Sequence, residues 1–358
     1  MKNLLRLLLK TQQQQNLSKQ AQTEKGMTLV ELLVGAIMAF LIITPMLGFV
    51  VDMLNTDRRE QVKSNTEQDV QAAVDFIAQD LNQAIYMYDN NTLNNPASDG
   101  TPGISSQLPN PAGGTPILVF WKRQQITKAV SVDTNPATRT LPKDCDSSKP
   151  CNDTYVRSLV AYYLVRDNTP SIWCQPSGNS CPSRIERYEI KEGVRNPNSP
   201  DPVNQPYYNN NEANPNQRVS PAFNSNFDFS QPRRNVTTPA GFADPSFIGQ
   251  NPQVLVNYID HTVVPPSDLQ ECEKALGTPT VTVSGQLAPV AVPESTLRVS
   301  DPVNSFYACV DTARNLARVT IRGNSLRRLQ ADASYNPNNP AYFPTASVQV
   351  QGRGALGK

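Results

Sequence analysis

Hydrophobic residues near the start of the chain form a continuous run instead of a periodic pattern. Residues 32–51 are twenty positions without a charged side chain, enough to cross about 30 Å of hydrocarbon as a helix. Residues 1–26 carry five basic side chains and one acid: Lys2, Arg6, Lys10, Lys19, Lys25 and Glu24. This positive flank predicts that residues 1–26 stay in the cytoplasm and that the chain beyond about residue 52 is exported.

After the apolar run the pattern becomes that of an amphipathic helix. No proline or glycine interrupts residues 53–88, and a polar stretch occupies 55–67. Beyond it the apolar residues recur every three or four positions, at Val70, Val74, Ile77, Leu81, Ile85 and Tyr88. We therefore predict one helix from the apolar run to about Tyr88, with its last part packed on a globular head.

Proline marks a weak point inside the apolar run, and a polar segment marks the end of the helix. Pro45 removes a backbone hydrogen bond and Gly48 follows it, so we expect a kink or a locally melted turn near residues 41–48. Residues 89–103, "DNNTLNNPASDGTPG", combine Asn, Asp, Gly and Pro and predict the end of the helix.

Beyond residue 103, short runs of β-branched and aromatic residues predict strands. They are 116–122, 158–167, 185–191, 253–260, 305–310, 317–323 and 345–354. Short loops separate several of them, so we expect hairpins of an antiparallel sheet and, with the preceding helix, an α+β fold. Residues 191–252, rich in Asn, Pro and Gln, are expected to bury little apolar surface and to hang from one end of that sheet as a long loop.

Composition narrows the class of protein. The chain has 358 residues, 31 of them Pro, and a formal net charge of +1, so no global basic field points to nucleic acid. The segment "FWKRQQ" (120–125) joins aromatic and basic residues, and we interpret it as the core of a strand with a charged end.

Six cysteines lie beyond the apolar run, on the side that is expected to be exported. An even number in such a domain favours disulfides, and the spacing suggests Cys145–Cys151, Cys174–Cys181 and Cys272–Cys309 among fifteen possible pairings. Zinc binding by the cysteines is the competing hypothesis. The sequence has no Cys-x-x-Cys pair and only one histidine, which argues against a zinc site. Free cytosolic thiols would require that the apolar run does not export the head.

Glu31 is the one acid at the head of the apolar run. A carboxylate near the end of a membrane-spanning helix costs about 2–3 kcal/mol or less and is expected to have a partner. If the chain is cut after Gly26, Met27 becomes the amino terminus, and its α-amine on a neighbouring copy can pair with Glu31 inside the membrane or a filament core. Two alternatives remain: a plain anchor in which Glu31 reaches the interface, and a secretory signal, for which the run is too long.

Candidate chemistry in the head is sparse. His261, the one histidine, would have to serve any serine or cysteine triad, and no nucleophile motif accompanies it, so we expect a surface or hydrogen-bonded residue. The glycines of residues 352–358 are interpreted as a tail and not as a phosphate loop. Residues 89–95 could bind calcium, but no EF-hand spacing is present. We therefore predict no enzyme activity, no cofactor and no metal.

The segment "KGMTLVELLVGAIMAFLIITP" (25–45) resembles the class III leader junction of type IV pilins and pseudopilins. The resemblance implies that a prepilin peptidase cuts between Gly26 and Met27 and methylates the Met27 amine, and that Glu31, the fifth mature residue, guides assembly. It also implies that the turn around Pro45 melts during assembly. Two features depart from the family: Met27 replaces the usual Phe, and a leader of 26 residues is longer than most.

"DVQAAVDFIAQDLNQA" (69–84) and "LVAYYLVRD" (159–167) resemble the J-type minor pseudopilins of type II secretion and their type IV pilus relatives. Those proteins pair a long amino-terminal helix with a loop-rich sheet. More narrowly, "ILVFWKR", "FYACVD" and "PTASVQVQGRGALG" are similar to the hormogonium polysaccharide secretion pseudopilins of cyanobacteria. No part of the resemblance covers the insertion at about 191–252.

The resemblance implies an organisation into a cleaved leader (1–26), a transmembrane and filament-core segment (27–52), an exported amphipathic helix (53–89) and a pilin-like head (104–358). It implies a minor pseudopilin that serves polysaccharide secretion linked to gliding motility. The expected partners are the prepilin peptidase, other major and minor pseudopilins, and an inner-membrane assembly platform with its ATPase.

The expected location is the inner membrane, crossed once with the head in the periplasm, and then the pseudopilus. Two alternatives are kept. One is a minor pilin whose head is an adhesin or a nucleic-acid-binding module, which an exposed aromatic or basic patch would favour. The other is an uncleaved, membrane-anchored receptor or enzyme.

Overall fold

The computed structural model describes residues 27–133, 135, 137–146, 148–167, 171–244, 247, 252–263, 271–283 and 286–353. The chain divides into one unit that ends at Arg58 and one that begins at Arg59. Helix α1, Leu29–Leu81, supplies residues to both units. Cleavage at Gly26 and the proposed leader concern residues outside the described part of the chain.

The second half of α1 carries the predicted core-facing stripe. Val70, Val74, Ile77 and Leu81 are buried, as their spacing requires. The helix ends at Leu81, before the expected end at Tyr88, because the next residues form a strand instead.

This first strand, β1, comprises Ala84–Met87 and pairs antiparallel with the strand that contains Phe120 and Lys122. Tyr88 extends the pairing by donating its N–H to the Val119 carbonyl at 3.0 Å. Ile85 and Tyr88 are three positions apart, a spacing that favours a helix, so periodicity alone chose the wrong element.

The remaining elements follow in chain order. The strands are β2 (Gly114–Ser131), β3 (Cys151–Arg166), β4 (Ser183–Lys191), β5 (Gln253–Ile259), β6 (Thr280–Val283), β7 (Gln286–Pro289), β8 (Arg298–Ser300), β9 (Phe306–Asp311), β10 (Leu316–Arg322) and β11 (Thr345–Gln351). The short α-helices are α2 (Asn90–Asn94), α3 (Cys272–Leu276) and α4 (Glu294–Leu297). Single 3-10 turns occupy Ile104–Gln107, Pro142–Asp144, Pro239–Ala243, Leu326–Arg328 and Pro340–Tyr342.

Within the described residues the strands form two larger antiparallel sheets and a small one. The first sheet has the order β1-β2-β3-β4-β5, the second the order β11-β10-β9-β8, and β6 pairs with β7. An isolated bridge between Ile259 and Gly323 joins the ends of the two larger sheets. The predicted α+β class is confirmed, with the expected sheet divided into two.

The main hydrophobic core lies between α1 and the inner faces of both larger sheets. The stripe from Val70 to Leu81 packs there against buried side chains of the strands, among them Leu118, Phe120, Tyr162, Ile185, Phe306, Val319 and Ile321. One helix therefore covers two sheets, and burial of its apolar face holds them together.

A buried ionic network joins the last turn of α1 to three strands of the first sheet. Lys122 Nζ lies 2.9 Å from Asp80 Oδ1 and Arg187 Nε lies 2.7 Å from Asp80 Oδ2. The Tyr162 hydroxyl donates to the same carboxylate at 2.7 Å. Glu189 contacts both cations, Lys122 at 3.3 Å and Arg187 at 2.9 Å. Two acids and two bases balance, which is the condition for burying charge at tolerable cost.

The other face of the first sheet is covered by the Asn/Pro-rich insertion, contrary to the prediction that this segment buries little and hangs from one end. Trp121 stacks on Phe227 with ring centroids 4.4 Å apart, and its indole N–H donates to the Tyr88 hydroxyl at 3.0 Å. Phe223 and Val236 are buried in the same cluster. The segment has few apolar residues, but they point inward and together form a second core layer.

All six cysteines are in disulfides, and the pairs are those expected from the sequence: Cys145–Cys151, Cys174–Cys181 and Cys272–Cys309. The first two close short loops before β3 and β4. The third ties α3 to β9 over a sequence separation of 37 residues. Each cross-link restricts the unfolded chain, and none leaves a thiolate for zinc.

We predict that Asp80→Asn lowers the free energy of unfolding by about 3–5 kcal/mol, because it leaves two buried cations with a single acid. Urea unfolding of the full chain in detergent micelles, followed by the fluorescence of buried Trp121, measures this. The control is Asp75→Asn on the exposed side of the same helix, expected to change stability by less than about 0.5 kcal/mol. Equal effects of the two substitutions would contradict a special role for Asp80.

The same network predicts acid sensitivity. Burial alone raises the pKa of the Asp80 carboxyl, but Arg187 and Lys122, with hydrogen bonds from Arg187 and Tyr162, outweigh burial and hold the pKa below its ordinary 3.8. Lys122 and Arg187 likewise outweigh burial and lower the pKa of Glu189 from 4.5. A depressed pKa adds stability that is complete above the ordinary pKa and lost as the pH falls through the folded one.

We therefore expect the contribution of these two carboxylates to the free energy of unfolding to be complete above about pH 5 and to be lost below about pH 4, with a smaller loss in Asp80→Asn. Urea titrations across this pH range measure both slopes. A variant with the wild-type acid slope would show that other carboxylates are responsible.

Candidate functional site

The residues that the sequence analysis expects to act in filament assembly, Met27 and Glu31, lie at the amino-terminal end of α1. Met27 precedes the helix, and Glu31 occupies its first turn. The Glu31 N–H donates to Thr28 Oγ1 at 3.3 Å, and the Thr28 hydroxyl lies 3.5 Å from Glu31 Oε2. The Leu32 N–H donates to the Thr28 carbonyl at 3.1 Å, which makes Thr28 the N-cap residue.

Thr28 and Glu31 have the spacing of a capping box, Thr-x-x-Glu, which the sequence analysis did not use. Capping accounts for about 1 kcal/mol of local helix stability. It also places the carboxylate in the first turn of α1, at the positive end of the helix dipole. Glu31 is exposed in the single chain, so its carboxylate is accessible to a cation from another molecule.

The surface of α1 that follows Glu31 is apolar on all sides. Large apolar side chains from Leu29 to Leu54 are about half exposed or more, with Leu29 at 84% and Phe40 at 71%. Within the described residues α1 is the one helix long and apolar enough to cross a membrane. An apolar surface of this length on a single chain requires lipid or other apolar helices around it.

Pro45 lies within this apolar part of α1. The helix is unbroken through residues 41–48, so the locally melted turn that the sequence allowed does not occur in the single chain. The neighbouring Thr44 hydroxyl donates to the Phe40 carbonyl at 2.8 Å, a bond that often accompanies helix bending.

His261 lies two residues after β5, and of the two positions expected for it, surface or hydrogen-bonded, it takes the second. It is only 7% exposed, and its Nε2 lies 3.0 Å from Ser180 Oγ. The Ser180 hydroxyl donates to Asp332 Oδ1, also at 3.0 Å. A serine, a histidine and an aspartate are therefore in contact, although they come from three distant segments.

The order of these contacts differs from that of a hydrolase triad, in which the carboxylate holds the histidine. Here Asp332 holds Ser180, and His261 Nδ1 has no hydrogen-bond partner in the described part of the chain. Burial, together with the charges of Arg166 and Arg327 and against the effect of Asp260, lowers the pKa of His261. A neutral histidine that joins a disulfide-closed loop to the end of β5 is the role that this geometry supports.

The polar segment considered for calcium has a local role. Asp89 caps α2, because its Oδ1 accepts the Thr92 N–H at 2.8 Å. No group of three or more His, Cys, Asp or Glu side chains in the described ranges is arranged to hold a metal ion. These residues are accounted for by turn and cap formation.

Comparison with known proteins adds no family to these observations. No protein-family model, no curated protein and no solved structure matches the chain. The features that bear on function are therefore the amino-terminal segment, the apolar surface of α1 and the architecture of the head.

Proposed function

We propose that the chain is a non-enzymatic minor pseudopilin of the J type, held in the inner membrane by residues 27–52 until it enters a short filament. One observation carries the proposal: Glu31 is the only charged residue among residues 27–51, and the apolar surface around it is unburied in the single chain. A pilin-like arrangement of one long helix and an antiparallel head agrees with it.

The proposed mechanism is docking. After cleavage at Gly26, the methylated α-amine of Met27 on one copy pairs with the Glu31 carboxylate of its neighbour. In a low-dielectric surrounding, either charge alone is costly, and pairing removes most of that cost. Because an unpaired acid is disfavoured there, the ion pair selects one register of the packed apolar helices.

The remaining steps belong to partners. A prepilin peptidase would process the chain, an inner-membrane platform with its ATPase would drive assembly, and other pseudopilins would contact the head. The helix turn at Pro45, which lacks one backbone hydrogen bond, is where we expect α1 to bend when subunits pack. The exported cargo in this proposal is a polysaccharide, and the process serves gliding motility.

We predict that Glu31→Gln is exported and cleaved normally but fails to enter filaments, because the amide cannot neutralise the neighbour's amine. Mass analysis of the amino terminus measures cleavage, and the amount of subunit in sheared filaments measures assembly. We expect at least a tenfold loss of filament subunit. Normal assembly of Glu31→Gln would contradict the pairing mechanism.

Two matched variants separate pairing from the local roles of Glu31. Thr28→Ala removes the cap hydroxyl and keeps the carboxylate, so it should assemble like the wild type despite losing about 1 kcal/mol of helix stability. Glu67→Ala removes an exposed acid farther along the same helix and should have no effect. Failure of Thr28→Ala to assemble would assign the effect of Glu31 to capping instead.

A further inference from the structure

A polar cleft of about 400 Å³ opens at the edge of the first sheet, where β2 continues past the first residue of β1 while it stays paired with β3. It is lined by Gln83, Lys122, Arg123, Gln124, Gln125, Tyr155 and Arg353. Pairing of β1 with β2 stops at Lys122, and the Arg123 N–H donates to the Gln83 carbonyl at 3.1 Å. Its volume lies within the range of small-ligand sites.

The charge in this cleft is positive and only partly compensated. Lys122 turns its ammonium to Asp80 and Glu189, inside the buried network. Neither Arg123 nor Arg353 forms an ion pair with a carboxylate in the portion of the chain that the structure describes. No acidic residue lines the cleft, but the lining residue Gln125 donates from Nε2 to Asp153 Oδ2 at 2.9 Å. The two guanidinium groups of Arg123 and Arg353 are left to bind an anion.

The other groups of the cleft suit a ligand with a planar apolar face and hydroxyls. Tyr155 is 54% exposed, and the Arg123 guanidinium lies 3.8 Å from its ring centroid. Gln124 accepts from the Ser158 hydroxyl at 3.2 Å through its Oε1, which leaves its amide NH₂ to donate. Aromatic faces and amides are typical partners of C–H and hydroxyl groups.

Arg353 is positioned in the cleft by a close backbone approach. The Gly352 N–H donates to the Asn315 carbonyl at 2.9 Å, and Asn315 Nδ2 donates to the Ala84 carbonyl at 3.0 Å. A Cβ on Gly352 would lie 2.4 Å from the Ala84 oxygen, so only glycine allows the tail to pass here. The chain segment interpreted from sequence as a plain tail therefore brings a cation to a defined place.

A second cleft of similar volume, lined by Arg233 and Arg234, differs in its internal bonding. Arg233 donates to the Asn91 and Asn95 carbonyls, and Arg234 lies 3.4 Å from Asp99. Both guanidinium groups of this second cleft already have partners within the protein: backbone carbonyls for Arg233 and a carboxylate for Arg234. It serves as a matched control for the first cleft.

We propose that the cleft around Arg123 and Arg353 binds an acidic saccharide, with the guanidinium groups on a sugar carboxylate and the amides on hydroxyls. A nucleic acid fits less well, because bases stack on aromatic side chains and one face of the single aromatic ring that lines the cleft is covered by Arg123. The choice of a saccharide rests in part on the proposed export of a polysaccharide. The binding itself does not depend on filament assembly.

The test is isothermal titration of the full chain in detergent micelles with tri-galacturonate, and with maltotriose as the neutral probe. We expect tri-galacturonate to bind, maltotriose not to bind, and Arg123→Gln and Arg353→Gln each to weaken binding at least tenfold. Gly352→Ala should weaken it through the displaced tail, and Arg234→Gln should bind like the wild type. Near-UV circular dichroism checks that each variant is folded.

Absence of tri-galacturonate binding, equal binding by the arginine variants, or displacement by maltotriose would overturn the proposal. Tighter binding of a single-stranded oligonucleotide at the same arginines would overturn the ligand class. Filament entry of Arg123→Gln is expected to be normal. A chain that binds tri-galacturonate but never enters filaments would refute the proposed function and leave this site standing.

Discussion

The Asp80 carboxylate is the constraint on which the head depends, because it lies buried at the end of the helix that covers both sheets. The stripe from Val70 to Leu81 supplies apolar contact, which is favourable but not specific for one register. Lys122 and Arg187, from two different strands, both reach that one carboxylate. A helix shifted by one residue would move Asp80 away and leave the two buried cations with Glu189 alone, so charge sets the register that apolar packing allows.

Strand β2 connects this network to the other features of the head. Its alternating side chains place Lys122 toward α1 and Trp121 toward the opposite layer, where the insertion packs. One residue farther, Arg123 lies at the sheet edge beyond the first residue of β1 and lines the cleft. The helix, the covering insertion and the proposed saccharide cleft are therefore linked through three consecutive residues.

Local patterns predicted the parts of the structure that depend on neighbouring residues. The helix stripe, the β-branched strands and two of the three cysteine pairs lie within short segments, whereas Cys272–Cys309 spans 37 residues. The ionic network joins residues 42 and 107 positions apart, so no local pattern contains it. The prediction that residues 191–252 bury little apolar surface was wrong because it followed their many polar residues and overlooked the few aromatic ones, several of which are buried. The Thr28–Glu31 cap was present as a local motif and could have been found, whereas the cleft around Arg353 could not.

In the proposed function, Glu31 gains a partner only when cleavage after Gly26 creates an α-amine at Met27. Intact-mass and amino-terminal analysis of the protein from its native membranes tests this most directly. We predict a chain that begins at N-methylated Met27 and has lost residues 1–26. A chain that still carries those residues would reduce Glu31 to a helix cap at the membrane interface and would contradict assembly into a filament.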